Sequence, residues 1–161
     1  MDEIYLKEFT DSDIGKIYEM SKEDHLIQYL PDQEYQDLNE AKEVVEFLMG
    51  MYNQEINPLE RPYVLGVYER KTGKIIGHVG LSNYKDRIEI GYAIEKKKLG
   101  KGYGKIAVMY MIKRIEEETN IKEIHGIVDK SNIASIKVLE SNSFIKIKEE
   151  NEKVIYKRNI K

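Results

Sequence analysis

The chain opens on an alternation of apolar and charged side chains over residues 3–9 (EIYLKEF), with Ile4, Leu6 and Phe9 on one side. That is the period of a half-buried strand. Thr10-Asp11-Ser12-Asp13 supplies N-cap candidates, and Ile14, Ile17, Tyr18 and Met20 then fall roughly on one helical face. The stretch around His25 to Tyr35, interrupted by Pro31, reads as irregular. From Asn39 the positions Ala41, Val44, Val45, Leu48, Met49 and Tyr52 form a helical stripe that runs toward Asn57-Pro58. Residues 63–70 and 75–81 read as a hairpin turned at Lys71-Thr72-Gly73-Lys74, and residues 87–94 as a third strand. A loop with glycine at every second position (Gly100, Gly102, Gly104) leads into a long amphipathic helix. Residues 123–128 then read as a strand and 131–142 as a helix, and 144–149 and 153–159 as a final strand pair. The order β-α-α-β-β-β-α-β-α-β-β predicts an α/β (α+β) fold. Its sheet is mixed and mostly antiparallel, about seven strands wide, with helices on both faces. The helix after the glycine loop is the crossover that makes the fourth and fifth strands parallel.

Length and composition narrow the class. With 161 residues, 41% hydrophobic and 34% charged, the chain is expected to form one soluble domain over residues 1–161. A net charge of −3 gives no general affinity for polyanions, so no nucleic-acid partner is expected. Having no cysteine, the chain has no disulfide, thiolate metal site or cysteine nucleophile, and no metal site is expected. No apolar run approaches membrane-spanning length and no signal-like segment opens the chain, so a cytoplasmic location is expected.

The glycine loop carries the clearest chemistry. A strand feeding a glycine-rich loop at a helix N-terminus brings exposed N–H groups and the helix dipole to bear on an anion. A phosphate loop of the G-x-x-x-x-G-K-[ST] type is excluded, because Leu99 stands at its first glycine and Ile106 follows Lys105. A dinucleotide fingerprint is excluded by the G-x-G-x-G spacing and by the antiparallel strands that precede it.

Leu99-Gly100-Lys101-Gly102-Tyr103-Gly104 instead resembles the pyrophosphate loop, [Gln/Arg]-x-x-Gly-x-[Gly/Ala], of the GNAT superfamily of N-acetyltransferases. Asn132 to Phe144 resembles that family's N-x-x-S-x-x-V-[L/Y]-E-x-x-G-F segment, and Glu89-Ile90-Gly91-Tyr92 has the E-x-G-Y form of its RimJ/RimL-like branch. The resemblance extends over essentially the whole chain. It departs at Leu99, in place of Gln or Arg, and at Ser143, in place of glycine. What Leu99 lacks would fall to Lys98 or Lys101.

The resemblance implies a GNAT fold and an acetyl-CoA cosubstrate. Its pyrophosphate would lie on the N–H groups of residues 100–105, with charge added by Lys101 and Lys105 or with those lysines merely solvated. It further implies that Tyr92, Ala93 and Ile94 offer backbone groups to the pantetheine arm, one N–H polarising the thioester carbonyl. Asn132 would also pair with that arm. The acceptor is a primary amine, either a protein N-terminus or a small molecule such as a polyamine, amino acid or aminoglycoside. A non-catalytic CoA-binding module is the alternative class.

An amine arrives largely protonated, so a base is expected. Glu89 is the first candidate, its bland reading being a surface carboxylate paired with Arg87 or Lys85; Tyr92, Asp24, His25 and His78 follow. Ser135 is the candidate donor to the departing thiolate, its bland reading being a helix cap after Asn132. Many family members carry a tyrosine where this chain has Leu139. Acceptor choice is expected from the first two helices, the 25–36 segment, and Asn83 and Tyr84, with acids at Glu23, Asp24, Asp32 and Glu34. The chain is expected to be a monomer or a homodimer.

Overall fold

The computed structural model describes residues 3–161. Strand β1 (Ile4–Lys7) is followed by helices α1 (Ile14–Ser21), α2 (Asp24–Tyr29) and α3 (Leu38–Met49). Strands β2 (Tyr63–Glu69), β3 (Ile75–Tyr84) and β4 (Arg87–Ile94) form a meander, and α4 (Tyr103–Glu118) crosses to β5 (Glu123–Asp129). Helix α5 (Ile133–Ser141) and the hairpin β6 (Ile145–Glu150) and β7 (Lys153–Asn159) complete the chain. One seven-stranded sheet results, in the order β1-β2-β3-β4-β5-β7-β6. It is antiparallel throughout except where β4 meets β5.

The strand count and the single parallel pair agree with the expected architecture. The stretch expected to be irregular does not: it holds α2 and a 3-10 turn at Pro31–Gln33. Six residues are too short to display a helical period, and Leu26 alone of them is buried, so no apolar stripe marks α2. Helix α3 also ends earlier than its apolar stripe suggests. Tyr52 lies beyond it and is held instead by its hydroxyl, which donates to the Val64 carbonyl at 2.6 Å.

Strand alternation divides the side chains between two faces. Leu65, Val67, Val79, Leu81, Ile90 and Ile94 pack with Ala107, Val108, Met111 and Ile115 of α4 on one face. Alternation puts Tyr68 on the opposite face, with Phe9, Ile17, Ala41 and Val45 beneath α1 and α3, and a register shift between Val67 and Tyr68 brings Ile75 rather than Ile76 beside it. There its hydroxyl donates to Asp13 Oδ2 at 2.6 Å, which the Thr10 N–H also reaches at 2.8 Å. The buried carboxylate is thus paired.

The feature that positions the site is the parting of two strands. β3 and β4 stay in register from Tyr84↔Arg87 to Gly77↔Ile94, whereas β4 and β5 share one register pair, Glu89↔His125. Beyond Glu89 the two strands diverge and the sheet opens.

Candidate active site

Backbone polarity inside the opening follows from the β3–β4 ladder. The Glu95 N–H donates to the Ile76 carbonyl at 2.8 Å, so this register pair is hydrogen-bonded. Antiparallel pairs alternate, so Ala93, Gly91 and Glu89 turn their backbone groups to β3, while Tyr92 and Ile94 turn theirs toward β5. That corrects one expectation: Ala93 spends its N–H and carbonyl on His78 and offers a cosubstrate only its methyl group. The Ile94 carbonyl is taken as well, by His25 Nε2 of α2 at 2.8 Å. What faces the gap is the Tyr92 amide and carbonyl and the Ile94 amide.

At the far end of β4 the glycine loop is open. Gly100 and Gly102 have φ of +78° and +81°, left-handed values that favour glycine, and Gly102 is the N-cap of α4. A β-carbon at either position would meet nothing within 4 Å, so the space before the helix is clear. The first helical bond runs from the Ile106 N–H to the Gly102 carbonyl, leaving the N–H groups of Tyr103, Gly104 and Lys105 directed at that space. The Tyr103 side chain does not join them; its ring is buried and its hydroxyl donates to Glu3 Oε2 at 2.5 Å. Lys98, expected to make up for what Leu99 lacks, has its Nζ paired with Glu69 Oε2 at 2.7 Å. Lys101 and Lys105 are exposed, and Leu99 lies half-exposed on the cleft rim.

Gly104 has a packing task. A β-carbon there would come 2.7 Å from the Tyr92 ring, so glycine lets that ring lie against the first turn of α4. Held so, the Tyr92 hydroxyl meets Ser135 Oγ of α5 at 3.0 Å. Burial raises the Tyr92 phenol above its ordinary value, partly offset by this hydrogen bond, and it stays protonated. The cap of α5 is Asn132, whose side-chain oxygen accepts from the Ser135 N–H at 3.3 Å. The Ser135 hydroxyl is therefore not the cap and belongs to the cleft. With Oδ1 accepting from the helix, the Asn132 amide nitrogen is the donor it can offer a ligand. Leu139 is buried over Gly126, where a β-carbon would lie 2.6 Å from its Cδ1, and brings no acid to the site.

Tyr92, Ala93, Ile94, Asn132, Ser135 and Leu139 line one cleft of about 530 Å³, which also contains Glu89, His78, Ser82, Asp129 and Lys153. Glu89 is on the face opposite Tyr92, in register with Ser82 of β3 and His125 of β5. Burial pushes its carboxyl up to about 7, against a smaller lowering by the Lys153 ammonium. His78, stripped of water on the cleft floor, falls to about 4 and is neutral at pH 7. His25 has its Nδ1 buried without a partner among the described residues. Asp24 is exposed and does not line the cleft.

A family model described as an acetyltransferase (GNAT) domain matches residues 3–145. The chain belongs to the GNAT acetyltransferase family. The uncharacterized N-acetyltransferase p20 of Bacillus licheniformis is 26% identical over 140 residues, covering 80% of this chain and 76% of that protein. Two solved structures share the fold. The ribosomal-protein-S5-alanine acetyltransferase of Vibrio fischeri is 21% identical with a TM-score of 0.80, over 99% of this chain and 94% of that one. The spermidine N-acetyltransferase of Vibrio cholerae, in complex with CoA and spermine, is 15% identical with a TM-score of 0.77, over 98% and 96%. Protein and small-molecule acetyltransferases thus both resemble it in fold.

In this GNAT acetyltransferase, sequence reasoning passed over Lys153, Ser82 and Gly80. Only the register of β3, β4 and β7 brings them to Glu89, and no local motif announces them. Among the described residues no group of three or more His, Asp or Glu side chains could hold a metal ion. Among the same residues no helix is long and apolar enough to cross a membrane.

Proposed function

We propose that this protein transfers the acetyl group of acetyl-CoA to the α-amino group of a peptide or protein N-terminus. The observation that carries the reading is the strand parting beyond Glu89, flanked by a glycine-opened helix N-terminus on one side and a half-buried carboxylate on the other. The residues fit the cosubstrate: the clear space before α4 suits a pyrophosphate, and the free Tyr92 and Ile94 backbone groups suit the amides of its arm. Acetyl-CoA supplies an activated thioester.

Each side of the sheet then has one task. The Ile94 or Tyr92 N–H stabilises the thioester oxygen as it gains charge. Glu89 takes the proton from the incoming ammonium. As the new C–N bond forms and the C–S bond breaks, the nitrogen gives its second proton to solvent and the thiolate takes one from Ser135. Tyr92 replenishes Ser135 across their 3.0 Å hydrogen bond and is itself reprotonated from solvent. A base near 7 removes a proton from an α-ammonium of pKa about 8 across a gap of about one unit, against more than three for an alkylammonium near 10.4. That match favours an N-terminal amine over a lysine or polyamine nitrogen.

Calorimetry with acetyl-CoA, then a thiol-release assay with N-terminal peptides, tests the reading. Micromolar binding and peptide-dependent release are expected; no binding at that concentration refutes it. Tyr92→Phe should keep acetyl-CoA affinity but slow turnover by about tenfold, a modest loss because a thiol of pKa near 8.5 leaves readily. Unchanged turnover would take Tyr92 out of the proton path.

A further inference from the structure

The acceptor end of the cleft has a composition of its own. Gly80 and Gly91 sit in register on its floor, and Gly91 is exposed there, a β-carbon on it meeting nothing within 4 Å. Along β4, on the same face, Glu89 lies to one side of Gly91 and Ala93 to the other. The wall above is apolar: Ile17, Leu26, Val45, Leu48 and Val64 from α1, α2, α3 and β2, with Tyr35 from the segment before α3.

Acids that would suit a polycation are spent elsewhere. Glu23 Oε1 accepts from the Lys96 N–H at 3.1 Å, and Glu34 pairs with Lys22 at 3.4 Å. Of the four acids near the acceptor helices only Asp32 lines the cleft. Lys153 adds a positive charge beside Glu89. Asn83, expected to contact the acceptor, instead donates to the Leu59 carbonyl at 2.9 Å.

We infer that the acceptor is an α-amine carried on an apolar residue, its nitrogen over Gly91 between Glu89 and Ala93 and its side chain against the α1–α3 wall. Of the three carboxylates that line the cleft, Asp32 is exposed to solvent and Asp129 already accepts from Ser131, which leaves half-buried Glu89 to partner one ammonium; a second cation would meet the apolar wall and the charge of Lys153. An apolar side chain gains by the same burial. The inference rests on the acetyl-transfer reading and on Glu89 as its base. It names the residue that presents the amine.

The test is acetyl-CoA turnover by the full chain with four acceptors: leucinamide, a leucine-initiated pentapeptide, its aspartate-initiated counterpart, and spermidine. The two leucine acceptors should exceed the other two at least tenfold in kcat/KM, as an apolar pocket discriminates. Comparing the pair separates a free amine from a peptide end. Gly91→Leu should raise KM for the leucine acceptors at least tenfold, with acetyl-CoA affinity by calorimetry unchanged. Spermidine or the aspartate peptide as the best acceptor overturns this inference and leaves acetyl transfer standing. Absence of acetyl-CoA binding, or binding with no turnover of any acceptor, overturns both.

Discussion

Glu89→Gln is expected to lower kcat/KM by about 10²–10⁴-fold, the usual range for removing a general base. It should also abolish the rise in rate through pH 7, leaving only the acceptor's own ionisation near pH 8. The groups that face Glu89 set that midpoint. Lys153 from β7 pulls it down, and Ser82 from β3, His125 from β5 and the neutral His78 carry no opposing charge at pH 7. Lys153→Met should therefore move the limb to higher pH.

Stability should change in the opposite sense to activity. The folded-state value near 7 lies above the ordinary 4.5, so the fold holds this proton more tightly than the unfolded chain does. The carboxyl costs nothing below pH 4.5, and its penalty grows from there to full size above pH 7. Removing the charge should stabilise the protein by up to about 3 kcal/mol at pH 8 and by little at pH 4. Urea melts of both forms at the two pH values check this. A variant that is less active and no more stable at pH 8 would show that Glu89 is solvated in the fold.

The second large effect is expected from Gly102→Val. A β-branched residue at φ +81° costs about 1–3 kcal/mol in backbone strain, or else turns the N–H groups of the α4 first turn away from the space they face. Its side chain also enters that space, where now nothing lies within 4 Å. Losing one or two charge-assisted hydrogen bonds to a phosphate, at about 1.5–3 kcal/mol each, corresponds to a loss of acetyl-CoA affinity of roughly 10- to 10⁴-fold. Calorimetry measures this directly. Unchanged affinity in a folded variant would remove the loop from the cosubstrate site.

Ser135 and Tyr103 show how far the chain could be read in advance. The sequence left two roles open for Ser135, cap or donor, because both place a serine in the first turn of a helix. The structure gives the cap to Asn132 and turns the Ser135 hydroxyl to Tyr92. Tyr103 lies between two glycines of the loop, and sequence spacing cannot say that its ring turns back to Glu3 near the start of the chain.

The sequence by itself determined the seven strands, four of the five helices and the glycine loop before α4, since hydrophobic period and glycine spacing are local properties set by backbone geometry. It also carried the family resemblance, through three short motifs. Only the tertiary structure decided which groups work together. Glu89 is an ordinary-looking strand carboxylate until burial in the cleft raises it to about 7, and Ala93 loses its place beside the thioester only through its register with His78. The acceptor pocket likewise exists only where α1, α2 and α3 close over Gly80 and Gly91. Burial and register join residues far apart in the chain, and neither is a property of any short stretch of it.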